Sequence, residues 1–171
     1  MAAGATYTPI ATTTLNSNST SVTFSSISSS YTDLVLVMSF KTTTNASQPY
    51  IQFNSDTGTS TTNYSTTSLR GNGTSASSGR HTNNFGWYPM PGPGIGTAGN
   101  FNIWTVNIMN YYNNTTFKTG TSRFTNSSSY SAGNSHLWRS TATISTITIT
   151  YETSNDLQSG SMFTLYGIAA A

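Results

Sequence analysis

The chain has no cysteine among its 171 residues, which removes disulfides, thiolate metal sites and thiol nucleophiles together. Charge is nearly as scarce. Asp, Glu, Lys and Arg make up 6% of residues, against about 25% in ordinary soluble domains, so the polar exterior must come from Ser, Thr and Asn. Six cations, Lys41, Arg70, Arg80, Lys118, Arg123 and Arg139, stand against four carboxylates and never cluster in sequence. Nucleic-acid binding needs several phosphate contacts, and none is expected. No apolar run approaches the roughly 20 residues that cross a bilayer as a helix, so no membrane partner is expected. Residues 1–9 hold neither a basic nor an apolar segment, and no signal peptide is expected. Helical periodicity is missing as well.

Aromatic residues, by contrast, reach 12%, and together with Thr, Ile and Val they favour a pleated, half-buried surface. Disorder normally pairs few aromatics with high charge, which is the reverse of this composition. Period-two alternation recurs along the chain, broken by Gly, Asn, Ser and Pro. Residues 7–15, interrupted by Pro9, suit an extended N-terminal arm or an edge strand. Val22-Thr23-Phe24 and Ile27 follow. Residues 33–41 form the clearest strand, with Leu34, Leu36, Met38 and Phe40 on one face and Val35 and Val37 on the other.

Further strands are predicted at 50–53, with Ile51 and Phe53 inward, and at 64–69 between Asp56-Thr57-Gly58 and Gly71-Asn72-Gly73. A Pro/Gly loop occupies 89–99. Residues 101–110 place Trp104, Val106 and Ile108 opposite Phe101, Ile103 and Met109. A weaker strand at 115–125 runs into a Ser-rich loop reaching Asn134, and Leu137-Trp138 opens another extended piece. Residues 146–151 and 161–168 complete the series. About eight to ten short strands at this spacing predict an all-β fold, an antiparallel β-sandwich of jelly-roll type. The domain spans 16–171 behind the arm at 1–15, and no internal repeat is visible.

The titratable inventory is thin. His81 and His136 are 55 residues apart and read as surface or loop residues rather than metal ligands. Serine is too abundant for a Ser-His-Asp pattern to carry information, and no Gly-x-Ser-x-Gly turn exists. Asp33 precedes a strand, and Asp56 and Asp156 sit in turns, where Asp ordinarily bonds its own backbone; with Glu152 they would have to supply any glycosidase pair. Asn54-Ser55-Asp56-Thr57-Gly58 has oxygen ligands at alternating positions that suit calcium, but a single carboxylate fits a hairpin turn with Gly58 at positive φ better. No catalytic residue, cofactor or metal is therefore expected. The many Asn-x-Ser/Thr triplets follow from composition and imply no glycosylation.

Phe85, Trp87 and Tyr88 precede the Pro/Gly loop. Exposed aromatics beside such a loop stack on another chain or on a sugar face, or else cap the end of the sandwich. Tyr7 and Pro9 of the arm are further candidates for partner contact, since an arm that adds a strand to a neighbour gains main-chain hydrogen bonds.

Three stretches together resemble a β-sandwich module of tailed-phage virion proteins, especially aquatic and cyanobacterial ones. They are Thr12-Thr13-Thr14-Leu15 through Val22-Thr23-Phe24-Ser25-Ser26-Ile27 to Tyr31-Thr32-Asp33-Leu34; Ile51-Gln52-Phe53-Asn54-Ser55-Asp56-Thr57-Gly58 with Asn63-Tyr64-Ser65 and Leu69-Arg70-Gly71-Asn72-Gly73; and Trp138-Arg139-Ser140-Thr141 with Ile144 to Thr148 and the closing Ser159-Gly160-Ser161-Met162-Phe163-Thr164-Leu165-Tyr166-Gly167-Ile168. The resemblance spans nearly the whole chain and supplies no catalytic residues. It implies a non-enzymatic virion component on the outer surface of the particle. Since one sandwich accounts for the chain, the expectation is a capsid decoration, or cement, protein, homotrimeric and bound to the major capsid protein. The alternative is a tail-fibre or receptor-binding protein that recognises a host surface glycan. A depolymerase would have to work through Asp56 or Asp156.

Overall fold

The computed structural model describes residues 6–45, 48–57, 63–89, 97–127, 130–151 and 157–169. Its strands are β1 (Tyr7–Thr14), β2 (Ser21–Phe24), β3 (Asp33–Phe40), β4 (Tyr50–Phe53), β5 (Tyr64–Gly71), β6 (Ala76–Asn84), β7 (Asn102–Met109), β8 (Lys118–Thr125), β9 (Ser131–Trp138), β10 (Ile147–Thr150) and β11 (Met162–Ile168). No helix occurs among the described residues. The strands form two antiparallel sheets, one ordered β1-β11-β3-β7-β8-β9-β5-β6 and the other β2-β10-β4. The expected all-β antiparallel sandwich is thus present. Its division is uneven, whereas a jelly roll is built from two Greek keys of eight strands in all, so the jelly-roll type is not part of the finding.

Alternation explains the apolar half of the core. Leu34, Leu36, Met38 and Phe40 of β3, Trp104, Val106 and Ile108 of β7, and Phe163 and Leu165 of β11 bury against Val22, Phe24, Ile51, Phe53, Ile147 and Ile149 of the small sheet in one cluster. Each such side chain stabilises by about 1.5–3 kcal/mol. Strands lie about 4.8 Å apart, so three of them span roughly 10 Å and eight roughly 34 Å. The small sheet therefore covers only part of the large one.

A segment outside both sheets covers more. Trp87 N–H donates to the Ile51 carbonyl at 2.9 Å, and Ile51 N–H donates to the Trp87 carbonyl at 3.0 Å. This adds one rung to the free edge of β4 and lays residues 85–89 across the inner face of β8, β9 and β5. The contact demands glycine on both sides. A Cβ on Gly86 would come within 2.5 Å of the Ile51 carbonyl oxygen, and one on Gly120 within 2.7 Å of the Trp87 ring.

Of the two expectations for residues 7–15, an extended arm or an edge strand, the structure shows the edge strand. Tyr7–Thr14 pairs with β11 over its length, with a register shift between Pro9 and Ala11. Proline has no N–H to donate, and an edge with a local bulge is where a strand tolerates it. Residues 1–5 lie outside the described residues, as do 90–96 of the Pro/Gly loop. Strand β6 has no counterpart in the predicted pattern, and β9 begins at Ser131 inside the expected Ser-rich loop.

Candidate binding face

Both described carboxylates serve as hydrogen-bond acceptors, but for groups distant in sequence rather than for their own backbone as expected: Asp33 opens β3, and Asp56 follows β4. Asp33 Oδ1 accepts from Asn110 N–H at 2.6 Å, where Asn110 turns at φ 49°. Asp56 Oδ2 accepts from Trp138 Nε1–H at 2.8 Å and from Asn63 Nδ2 at 2.9 Å. Its carbonyl accepts from the Tyr64 hydroxyl at 3.1 Å, and that hydroxyl accepts from Phe53 N–H at 2.9 Å. Burial pushes the Tyr64 phenol above its ordinary range.

The neighbouring Asn54 is equally engaged. Its Oδ1 accepts from Ser145 and Thr146 N–H at 2.9 and 3.1 Å, and its Nδ2 donates to the Thr143 carbonyl at 2.6 Å. The Asn54-Ser55-Asp56 stretch therefore clips the end of β4 to β5, β9 and residues 143–146 before β10. These oxygens are spent on protein donors rather than arranged around an ion. Among the described residues no cluster of three metal-ligating side chains occurs. Gly58, Glu152 and Asp156 lie outside the described residues.

His136 departs from its expected surface position. It is 3% exposed on the inner face of β9, because the strand alternates and the imidazole takes an inward slot beside Asn134 and Trp138. Its Nδ1 is 2.9 Å from Thr66 Oγ1 and its Nε2 is 2.8 Å from Ser122 Oγ. Asn134 Nδ2 donates to Ser122 Oγ at 2.9 Å and to the Pro89 carbonyl at 2.7 Å. Tyr88 N–H donates to Thr66 Oγ1 at 3.3 Å. With Asn134 already donating to Ser122, the serine hydroxyl is left to donate to Nε2 and Nδ1–H to donate to Thr66.

A serine and a histidine at this distance resemble a nucleophile and its base. Burial defeats that chemistry. It drives the His136 pKa down to about 3, both ring nitrogens are held by hydroxyls, and Ser122 is itself buried. The Trp87 indole lies flat on the imidazole, with centroids 4.9 Å apart and planes at 17°. The network is a polar latch that fastens residues 87–89 to the sheet.

Trp87 is accordingly corrected from an exposed aromatic to a fully buried one, 0% exposed, packed edge-on against Phe53 at 4.8 Å. Phe85 and Tyr88 are half-buried. Both lean on Tyr50, at 5.9 and 4.3 Å between centroids, and the Tyr88 hydroxyl donates to that of Tyr50 at 2.6 Å. They cap the end of the sandwich.

What faces outward is the other side of the large sheet. Following the registers, one row across it reads Thr12, Thr164, Val37, Thr105, Arg123, Gly133, Leu69, Ser78. The next begins at Pro9 and continues Tyr166, Val35, Asn107, Thr121, Ser135, Thr67, Arg80. Exposed apolar side chains stud this face, among them Tyr7 at 57%, Leu69 at 71%, Ile103 at 54% and Met162 at 45%. Tyr7 and Pro9 thus lie on it at the β1 edge, with Tyr7 packed edge-on to Tyr166 at 6.3 Å.

Toward the opposite edge the face holds a groove of about 450 Å³ across β7, β8, β9 and β5. Gly133 forms its floor, and a Cβ there would meet nothing within 4 Å. The sequence did not single out Arg123, Leu69 or Gly133. Their only signal is the alternation within 118–125 and 131–138, which puts Thr121, Arg123, Gly133 and Ser135 on one face.

Compared with known proteins, the chain matches no family model and no curated protein.

Proposed function

We propose that this chain is a non-enzymatic structural protein of a phage particle. It serves as a capsid decoration protein that self-associates as a homotrimer and sits on the outer surface of the major capsid protein. The observation that carries the reading is the broad outer face of the large sheet. Away from Arg123 and Arg80 near the β6 edge, its exposed positions are hydroxyls and amides with scattered apolar side chains, a surface suited to contact with little charge. The resemblance of three sequence stretches to a virion sandwich module supports the same reading. Docking uses the β1 edge, where Tyr7 and Pro9 are exposed near one end of the β1–β11 ladder and Met162, opposite Thr14, at the other, and where the outer edge of β1 is unpaired in the sheet order. An unpaired edge offers main-chain hydrogen bonds to a neighbouring strand.

A second reading, a tail-fibre or receptor-binding protein, is favoured by the groove at Gly133 and no longer by Phe85, Trp87 and Tyr88, since Trp87 is sealed inside. Counting copies in purified particles separates the two. Copies on the order of hundreds accord with an icosahedral coat, and a dozen or fewer with a tail. Absence of the chain from particles would overturn both.

A further inference from the structure

The groove over Gly133 lies several strands from the proposed docking edge, and its lining calls for a ligand of its own. We infer that it is a binding site for a carboxylate-bearing saccharide. This goes beyond placement on the particle and holds for a capsid-borne or a fibre-borne chain.

The volume of about 450 Å³ falls within the roughly 300–1,000 Å³ of small-molecule sites. Thr67, Thr105, Asn107, Thr121, Arg123 and Ser135 supply hydroxyls, an amide and a guanidinium to it. In a fold where hydroxyls commonly bond across strands, as Thr12 does to Thr164 at 3.1 Å, none of these six side chains bonds to another group among the described residues. A sugar ring presents the complementary set, several hydroxyls at short spacing, and its C–H face has Leu69 to lie against.

Arg123 decides the class. It is exposed, and no acidic residue lines the groove. The two described carboxylates are occupied elsewhere, Asp33 by Asn110 and Asp56 by Trp138 and Asn63. Arg80, one strand beyond Thr67 in the same row, adds a second positive charge to this end of the face. A guanidinium offers a planar fork of donors that matches a carboxylate with two parallel bonds. A neutral sugar would leave that fork unused.

The test is an amide NMR titration of the isotopically labelled full chain with D-glucuronate, with D-glucose as the neutral counterpart and acetate as the bare carboxylate. Glucuronate is expected to shift the amides of Thr121, Gly133 and Ser135, saturably and at lower concentration than either control. Arg123→Gln should weaken glucuronate about ten- to hundredfold, the size of one charge-assisted bond, and leave the weak glucose response unchanged. Gly133→Val fills the floor without a steric clash, and should abolish the shifts in a chain whose thermal transition is intact. The proposal is overturned if acetate matches glucuronate, if the shifts fall elsewhere or do not occur, or if they survive Gly133→Val. None of these outcomes bears on the copy number in particles, so the two readings fail separately.

Discussion

Single residues in this protein act mainly through burial. His136 is neutral in the fold because the imidazole is buried between Trp87, Thr66 and Ser122, where a charge would lose its hydration. Its folded pKa of about 3 lies below its ordinary 6.5. Between those values the unfolded chain binds a proton that the folded chain refuses. The stabilisation is complete above pH 6.5 and is lost as pH falls toward 3, at about 1.4 kcal/mol per pH unit. Thermal denaturation followed across that window should show this slope in the native chain and its absence in His136→Gln, which cannot take the proton. Equal slopes in both proteins would contradict the assignment.

Asp56 makes a second residue-scale case. Replacing it with Ala strands the Trp138 indole N–H and the Asn63 amide, a loss of about 1.5–3 kcal/mol for bonds to a charged group. Calorimetry should show that loss. Added calcium should leave the transition of the native chain where it was, and a rise with calcium would restore the ion-site reading of 54–58.

The strands differ in how openly the sequence declares them, and the reason is what each buries. Strands β3, β7, β10 and β11 were legible because their inward slots hold Leu, Ile, Val, Phe, Met and Trp, so alternation in hydropathy mirrors alternation in space. Strand β8 alternates just as strictly, but its inward residues are Lys118, Gly120, Ser122 and Phe124, and hydropathy reads that as noise. Lys118 is fully buried. Its ammonium donates to the carbonyls of Thr116 and Thr141 at 3.0 and 3.1 Å, and burial holds its pKa below the ordinary value. Strand β6 buries almost nothing and is defined by pairing with β5 alone. The groove was illegible for a related reason. Its lining comes from the outward slots of β7, β8 and β9 together with the sequence-distant β5, in a chain where Ser and Thr occur everywhere.

Two glycines on adjacent strands test this account of packing. Gly120 faces inward under the Trp87 ring, and Gly133 faces outward over open space. Gly120→Ala should cost about 1–3 kcal/mol through overpacking, lowering the midpoint by about 2–4 °C per kcal/mol at this chain length. Gly133→Ala should be neutral or slightly stabilising, since alanine has less chain entropy to lose. Equal effects at the two sites would contradict the tight slot at Gly120, where an added Cβ would come within 2.6 Å of the Asn107 carbonyl and 2.7 Å of the Trp87 ring.

At the scale of the whole molecule, the large sheet divides into two ends with different work to do. The β1 end offers Tyr7, Pro9 and Met162 beside an unpaired edge, and the far end offers a polar groove whose described lining holds Arg123 and no carboxylate. The registers put Pro9 and Arg80 at opposite ends of one row, about 34 Å apart at ordinary strand spacing. A body gripped at the first end can therefore present the second. The side chains that would grip are already exposed, so removing them leaves the core intact. Exposed aromatic anchors are also where binding energy concentrates. The double substitution Tyr7→Ser with Met162→Ser should lower incorporation into particles about tenfold or more, the loss expected when anchors of about 1.4 kcal/mol or more are cut away. It should leave the melting midpoint nearly unchanged. Arg123→Gln should do the opposite, sparing incorporation while removing the preference for glucuronate. Measured by particle mass spectrometry beside the titration, the pair separates the two ends. Should Arg123→Gln empty the particle of this chain while the Tyr7 and Met162 variant fills it normally, the face that docks is the groove end, and the orientation argued from the β1 edge is reversed.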